Sequence, residues 1–369
     1  MIHLGGGVDL PNRREILGGI TAAVAGMAFT GCGFQRTALA QAPQGAPGQR
    51  RRELVVNGKR IKTVDVHAHC HIPEAVALAG QKVNFPGLVI GPERIKAMDE
   101  QGIDIEALSV NPNFWDKAER DLQAQIVQLQ NEKLAELCAK EPERFVGLAS
   151  VALAYPELAA EQLETAVKKL DMRGALIGGS VIGTELADPK LHPFWAKAEQ
   201  LGVLIFIHPQ GTPELEASGR LKGNGGLYNV IGNPLETTIA LSHLIFEGTL
   251  DKFPGLKICG AHAGGYLPSY SARSDRMCEN RPDLCKVPLK RKPSEYLRQL
   301  YFDSMVFTAE GLRHLAAEVG TSQIVMGTDS PFPWTKTPVD HILDTPGFSD
   351  AERIAMLGGT AAKLLAINT

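Results

Sequence analysis

From Ile61 onward, short apolar runs rich in Val and Ile alternate with longer stretches of helical periodicity, the pattern of a parallel sheet covered by helices. The apolar runs predict strands over 63–67, 105–110, 145–151, 174–177, 203–208, 256–262, 300–303 and 323–327. Helical periodicity falls between them, over 93–101, 116–140, 157–170, 194–201, 234–253 and 309–319. Eight strands with intervening helices predict the α/β class and a closed (β/α)8 TIM barrel; an open doubly wound sheet is the alternative. Residues 55–61, with Asn57-Gly58 at their centre, predict a hairpin closing the bottom of the barrel.

The 369 residues carry 38 Lys and Arg against 41 Asp and Glu, a formal net charge of −3, and 44% are hydrophobic. So balanced a charge gives no general attraction for nucleic acid or for an anionic membrane, and function is expected in a local site. The N-terminal stretch adds an address. Arg13-Arg14 precedes an uncharged run over 16–30, and Ala38-Leu39-Ala40 offers a small-x-small cleavage site; together they predict a signal segment over 1–40. The arginine pair resembles a twin-arginine signal, which implies the twin-arginine export machinery as a partner and a periplasmic or secreted location. An ordinary secretory signal and a lipoprotein anchored at Cys32 are the alternatives. The uncharged run is too short to cross a bilayer of about 30 Å, so no transmembrane span is expected in the mature chain. Residues 41–53, with Pro, Gly and Arg but few apolar side chains, predict a disordered tether ahead of a barrel domain over 54–369. The six cysteines show no C-x-x-C spacing, which argues against a zinc ribbon. They are too few for a disulfide framework, and a Cys278–Cys285 bridge is not expected.

Strands buried on both faces should stay apolar to their ends, yet several finish in metal-binding residue types. The first ends Asp65-Val66-His67-Ala68-His69, the fifth Ile207-His208-Pro209, the sixth Gly260-Ala261-His262-Ala263-Gly264-Gly265 and the eighth Gly327-Thr328-Asp329-Ser330-Pro331. These positions converge on one mouth of a barrel, the face where barrel active sites are built. His67 and His69 are two apart on an extended strand and project to the same side. With His208 and Asp329 they make a set of three imidazoles and one carboxylate suited to a divalent ion, Zn2+ first, with Mn2+ or Fe2+ as alternatives. Strand four reads Gly174-Ala175-Leu176-Ile177-Gly178-Gly179-Ser180 and lacks the Lys or Glu that bridges two ions in binuclear barrel hydrolases, so one metal is inferred. Such an ion lowers the pKa of bound water toward about 7, and Asp329 is placed to hold the metal with one oxygen while the other takes the proton. His262 is expected to act as general acid/base or to polarise a substrate oxygen, and Gly264 and Gly265 to let substrate approach the backbone. Asp65 is expected to support the ligands and Cys70 to pack away from the metal, while His71, His192, His243, His314 and His341 are expected to lie outside the site.

The chain resembles the amidohydrolase superfamily, in particular the branch of aminocarboxymuconate-semialdehyde decarboxylase and related aromatic-acid decarboxylases, from about Ile61 to Ile367. Besides the strand ends, the similarity runs through Arg94-Ile95-Lys96-Ala97-Met98-Asp99-Glu100-Gln101-Gly102, Gly232-Asn233-Pro234-Leu235-Glu236-Thr237-Thr238, Phe253-Pro254-Gly255-Leu256-Lys257-Ile258-Cys259 and Arg281-Pro282-Asp283-Leu284-Cys285. The resemblance implies ligation by His67, His69, His208 and Asp329, catalysis by His262 with Asp329, and release of CO2 from a conjugated acid. It also implies that Arg273 meets a substrate carboxylate, in a neighbouring subunit if the chain forms a homodimer; a helix-surface salt bridge to Asp275 or Glu279 is the other reading of that arginine. Three departures argue against the branch's own semialdehyde as substrate: no Arg occurs over 74–92, Pro209-Gln210-Gly211 replaces Pro-Trp-Asp, and Ala263 replaces a glycine.

The expected activity is therefore that of a metal-dependent carboxy-lyase, a decarboxylase of an aromatic or unsaturated small-molecule carboxylic acid. Hydrolysis of an ester, lactone or amide at the same site is the rival reaction. A metal-binding protein without catalysis is a third reading, disfavoured because metal binding alone gives no reason to have His262 beside a full ligand set.

Overall fold

The structure, a computed structural model, describes residues 51–111 and 115–368. The signal segment, the arginine pair, Cys32 and most of the tether lie outside the described residues. All eight predicted strands form: β1 (Val64–Cys70), β2 (Ile105–Val110), β3 (Phe145–Leu148), β4 (Gly174–Ile177), β5 (Leu204–Ile207), β6 (Lys257–Gly260), β7 (Tyr301–Asp303) and β8 (Ile324–Val325). β1 to β3 pair in parallel, as do β4 to β8. Two single bridges join the arcs, Ala149 with Ala175 and Ala68 with Ser330. Asp329 N donates to His67 O at 2.8 Å and His69 N to Ser330 O at 2.7 Å, so the chain beyond β8 lies against β1. The sheet is closed, and the open doubly wound alternative falls.

Two apolar layers follow from the period-two alternation of strand side chains. Val64, Val66, Ile105, Ala107, Leu148, Leu176, Leu204, Phe206 and Cys259 fill the interior, while a larger cluster packs between strands and helices. Along β1 the register shifts between Asp65 and Ala68. An irregularity of this kind re-aims side chains: Val66 belongs to the interior cluster, Ala68 and Cys70 to the outer one, and the His67 ring lies 4.9 Å from interior Phe206. The shift turns the last residues of β1 so that both histidines crown the interior.

The helices begin and end where local chemistry dictates. Pro at the first turn starts Pro92–Gln101 and Pro156–Lys169, where a missing N–H costs nothing. Left-handed Gly102 and Gly202 end Pro92–Gln101 and His192–Leu201. Thr308 Oγ1 caps Ala309–Val319 by accepting from Gly311 N at 3.0 Å. The helix predicted over 234–253 is two, Asn233–Phe246 and Thr249–Lys252, because Gly248 takes a φ of 73° between them. Leu267–Asn280 is a further long helix beyond those predicted.

The 55–61 hairpin forms, with Leu54–Val56 against Lys59–Ile61. It is the C-terminal helix Thr360–Leu364 that joins the interior cluster, through Ala361 and Leu364, whereas Leu54 belongs to the outer one. The end of the predicted tether is held: Arg52 Nη1 donates to Asp340 Oδ2 at 2.9 Å, and Arg51 pairs with buried Asp104. Cys278 and Cys285 form a disulfide, contrary to the sequence-based expectation. A count of cysteines overlooks local geometry: the turn after Asn280 folds back, with Leu284 N donating to Arg281 O, and brings the two Cα atoms within 5.4 Å. No helix among the described residues is long and apolar enough to cross a membrane.

Candidate metal centre

His67, His69, His208 and Asp329 meet at the C-terminal mouth of the barrel, one ligand atom of each within 4.8 Å of all the others. Asp329 Oδ1 lies 3.2 Å from His67 Nε2, 3.0 Å from His69 Nε2 and 3.8 Å from His208 Nε2. Each ligand imidazole is fixed through its far nitrogen. His67 Nδ1 donates to Asp303 Oδ2 at 2.7 Å, and His208 Nδ1 to Pro209 O at 2.9 Å. Ser109 Oγ spends its only hydrogen on Ala68 O at 3.1 Å and so accepts from His69 Nδ1 at 2.9 Å. All three tautomers thus leave an Nε2 lone pair aimed at the centre.

Those three Nε2 atoms and Asp329 Oδ1 are buried without a hydrogen-bond partner. Four orphaned atoms converging in a dry site need a cation. The charges agree. Burial alone lowers His67, but Asp329 and Asp303 oppose it and raise the imidazole to about 10. Burial drives His69 down to about 3 and His208 to about 4. Burial opposes the charge of Asp329 too, yet His67 and the neighbouring imidazoles keep its carboxyl well below the usual range. Asp329 among the ligands and Asp303 behind His67 supply negative charge that a divalent ion on neutral imidazoles offsets. The residues fit a single divalent metal ion, with three nitrogen donors and one oxygen donor.

His262 stands apart from the ligands. Its Nε2 is 3.7 Å from Asp329 Oδ2, the oxygen remote from the cluster, and its side chain is 16% exposed where His67 and His69 are fully buried. Its Nδ1 has no fixing partner among the described residues. Both His262 and Ala263 are left-handed, with φ of 54° and 56°, as is Asp329 at 59°, a conformation costing roughly 1–3 kcal/mol per non-glycine residue. Sequence reasoning missed the group that holds this loop. Asp303, at the end of β7 and fully buried, accepts from His262 N at 2.8 Å and Ala263 N at 2.7 Å as well as from His67. Burial pushes its carboxyl up, but the His67 hydrogen bond and charge more than reverse this, leaving it below the ordinary value. Trp334 was also missed; its Nε1 donates to Asp329 Oδ2 at 2.8 Å. Asp303 carried the signal of the other strand ends, while nothing in the sequence marked Trp334.

The remaining assignments sort by geometry. Asp65 touches no ligand ring: its Oδ1 accepts from His67 N at 2.9 Å and its other oxygen binds Thr328 Oγ1, so it shapes both ligand-bearing strands. His71 is buried but outside the cluster, and Cys70 faces the outer core. Gly264 and Gly265 pack against protein on the side where a side chain would stand. A Cβ at Gly264 would stand 2.6 Å from the Phe302 ring, and one at Gly265, at φ +66°, would stand 2.0 Å from Pro234 O. Gly265→Ala is expected to destabilise the fold by about 2–4 kcal/mol, combining overpacking with a strained backbone, and the denaturation midpoint measures it. Arg273 lies exposed on the helix Leu267–Asn280. Neither proposed salt-bridge partner is engaged with it: Asp275 accepts from Ser294 N and Oγ, and Glu279 pairs with Arg276 and Lys292.

A cavity of about 550 Å³ opens among the loops after β1, β2, β4 and β5, lined by Trp115, Asp116, Ser180, Gln210 and Glu236. Gln210 follows the ligand His208 by two residues. It is seated by the glycines of the strand-four motif: a Cβ on Gly178 would meet Gln210 Nε2 at 1.9 Å, and one on Gly179 would meet Glu236 Cγ at 2.7 Å. Glu236 Oε2 in turn accepts from Gln210 N and Gly211 N, both at 2.6 Å.

A family model described as Amidohydrolase matches residues 64–367. The chain belongs to this family. It is 32% identical over 322 residues to the 2-amino-3-carboxymuconate-6-semialdehyde decarboxylase of Dictyostelium discoideum, covering 86% of this chain and 82% of the relative. It is also 32% identical over 297 residues to the gamma-resorcylate decarboxylase of Polaromonas sp. strain JS666, covering 76% of this chain and 89% of the relative. A dihydroxybenzoic acid decarboxylase structure from Polaromonas sp. JS666, with bound manganese and the inhibitor 2-nitroresorcinol, superposes with a TM-score of 0.73 at 28% identity, over 84% of this chain and 98% of that one. The resemblance to the decarboxylase branch therefore holds, and the chain is a metal-dependent enzyme of that branch.

Proposed function

We propose that this chain removes CO2 from a small aromatic carboxylic acid, with Zn2+ as the resident ion and Mn2+ as the alternative. Decarboxylation exchanges a carboxylate for a proton: the ring carbon gains H⁺, its bond to the carboxyl carbon breaks, and CO2 leaves while the ring keeps the electron pair. The chain must therefore deliver one proton to one carbon. The observation that carries the reading is the difference between His262 and the ligands. Three imidazoles have Nδ1 tied down and Nε2 buried, whereas His262 is partly exposed and points Nε2 at Asp329 Oδ2 across 3.7 Å. This pair holds and moves the proton at Nε2 and Oδ2, and Trp334 fixes Oδ2 from its other side. When bound, the divalent ion supplies Lewis-acid charge that offsets negative charge developing on the substrate. The cavity lined by Trp115, Asp116, Gln210 and Glu236, on the loop that leaves His208, is of a size that holds a single-ring acid.

The same reading extends to the rest of the chain. Residues 1–40 act as a twin-arginine signal that delivers the protein to the periplasm. The chain forms a homodimer through the helix Leu267–Asn280, on which Tyr270 and Met277, seven residues apart, are 64% and 41% exposed. Arg273 on that helix then meets the substrate carboxylate of the neighbouring subunit, a role suited to a guanidinium fork. The test is metal analysis of the purified protein followed by incubation with hydroxylated benzoic acids and, in parallel, lactones. Release of CO2 from the acids is expected; ring opening of lactones with no CO2 from any acid would replace the decarboxylase by a hydrolase.

A further inference from the structure

We propose that Asp303 is a positioning residue that couples metal binding at His67 to the orientation of His262. The proposal rests on the reading of His262 as the proton-moving group. Asp303 is fully buried, and its two oxygens face four donors. Oδ2 accepts from His67 Nδ1 at 2.7 Å and from His262 N at 2.8 Å; Oδ1 accepts from Ala263 N at 2.7 Å and from Met305 N at 3.1 Å. Three of these neighbours are backbone N–H groups that can only donate, and His67 Nδ1 donates in the tautomer that leaves Nε2 to the metal, so an ionised carboxylate serves all four. Oδ2 is thus shared between a ligand ring and the backbone of the acid/base residue.

The two halves of the contact have different consequences. Toward His67, the carboxylate fixes the tautomer that leaves Nε2 for the metal and raises its basicity. Toward His262 and Ala263, it anchors consecutive left-handed residues, a backbone that persists only where surrounding structure over-determines it. The packing allows little slack: a Cβ on Gly327 would fall 2.8 Å from Asp303 Cβ and 3.0 Å from His67 Cβ. A cation held at His67 Nε2 fixes the ring in place, and with it the oxygen that accepts from Nδ1. The same oxygen holds the His262 amide, so the filled site and the seated loop reinforce one another.

Asp303→Asn keeps the shape but offers one acceptor oxygen, so either orientation of the amide sets its NH2 against two donors. Apo protein titrated with Zn2+ or Mn2+ is expected to bind about 10–100-fold more weakly in this variant. At metal concentrations that restore one bound ion per chain, kcat is expected to stay about 10²-fold down, the scale of a misplaced reacting group, with KM near wild type because Asp303 is sealed from substrate. In the His262→Asn background, Asp303→Asn is expected to cost little further kcat at full occupancy. Wild-type kcat in metal-saturated Asp303→Asn, or full additivity of the two substitutions, would overturn the coupling. Should Asp303→Asn fail to fold, hydrogen exchange in the wild-type protein decides. Metal is expected to slow exchange at the His262 and Ala263 amides; slowing confined to the ligand segments overturns the proposal. That readout needs no substrate, so it stands apart from a failure of the decarboxylase reading, which would appear as wild-type enzyme without CO2 release.

Discussion

Asp329→Ala is expected to lose metal and turnover together. Its Oδ1 is the only anionic donor in the cluster, within 3.2 Å of two ligand nitrogens. Without it, three neutral imidazoles must hold a dication in a buried site with no carboxylate among the ligands. Affinity should fall by more than the roughly 10–100-fold that loss of a supporting partner costs, and metal analysis after dialysis reads it directly. Because Oδ2 also faces His262, refilling the site with excess metal is not expected to restore CO2 release. A variant that retains a full equivalent of metal would remove Asp329 from the ligand set.

His262→Asn is expected to separate the two properties, keeping metal content at the wild-type level while kcat drops at least about 10²-fold. Asn is suited to the test because it tolerates the left-handed backbone of this position better than most residues, so the loop keeps its shape while the imidazole is gone. Metal stoichiometry and steady-state CO2 release on the same preparation check both halves. Undiminished turnover would leave Asp329 as the sole proton-moving group.

Much of this arrangement was readable because a barrel strand buried on both faces has no reason to end in His or Asp unless the mouth needs them. That logic placed His67, His69, His208, His262 and Asp329 at their strand ends. It applied equally to Asp303, which ends β7, but an acidic residue at a strand terminus resembles an ordinary solvated turn until its four donors are seen. The irregularity in β1 was hidden because it depends on the facing strand and leaves no mark in the alternation of a fully buried segment. The break at Gly248 was available as a left-handed terminator and was outweighed by helical periodicity on either side of it. The Cys278–Cys285 bridge depends on a turn of a few residues after a helix the pattern did not separate, so spacing alone could not decide it.

The glycine pair of the fourth strand closes an evolutionary road. A second ion would need a bridging side chain from this strand, but here the space beside it is occupied by the side chains of Gln210 and Glu236. Grafting a lysine at position 178 would evict an amide that the added Cβ alone would approach to 1.9 Å, and would loosen the loop that begins at the ligand His208. Conversion to a dinuclear centre thus demands concerted remodelling of two loops, so laboratory evolution toward new chemistry on this scaffold has better starting points among the cavity residues than at the ion.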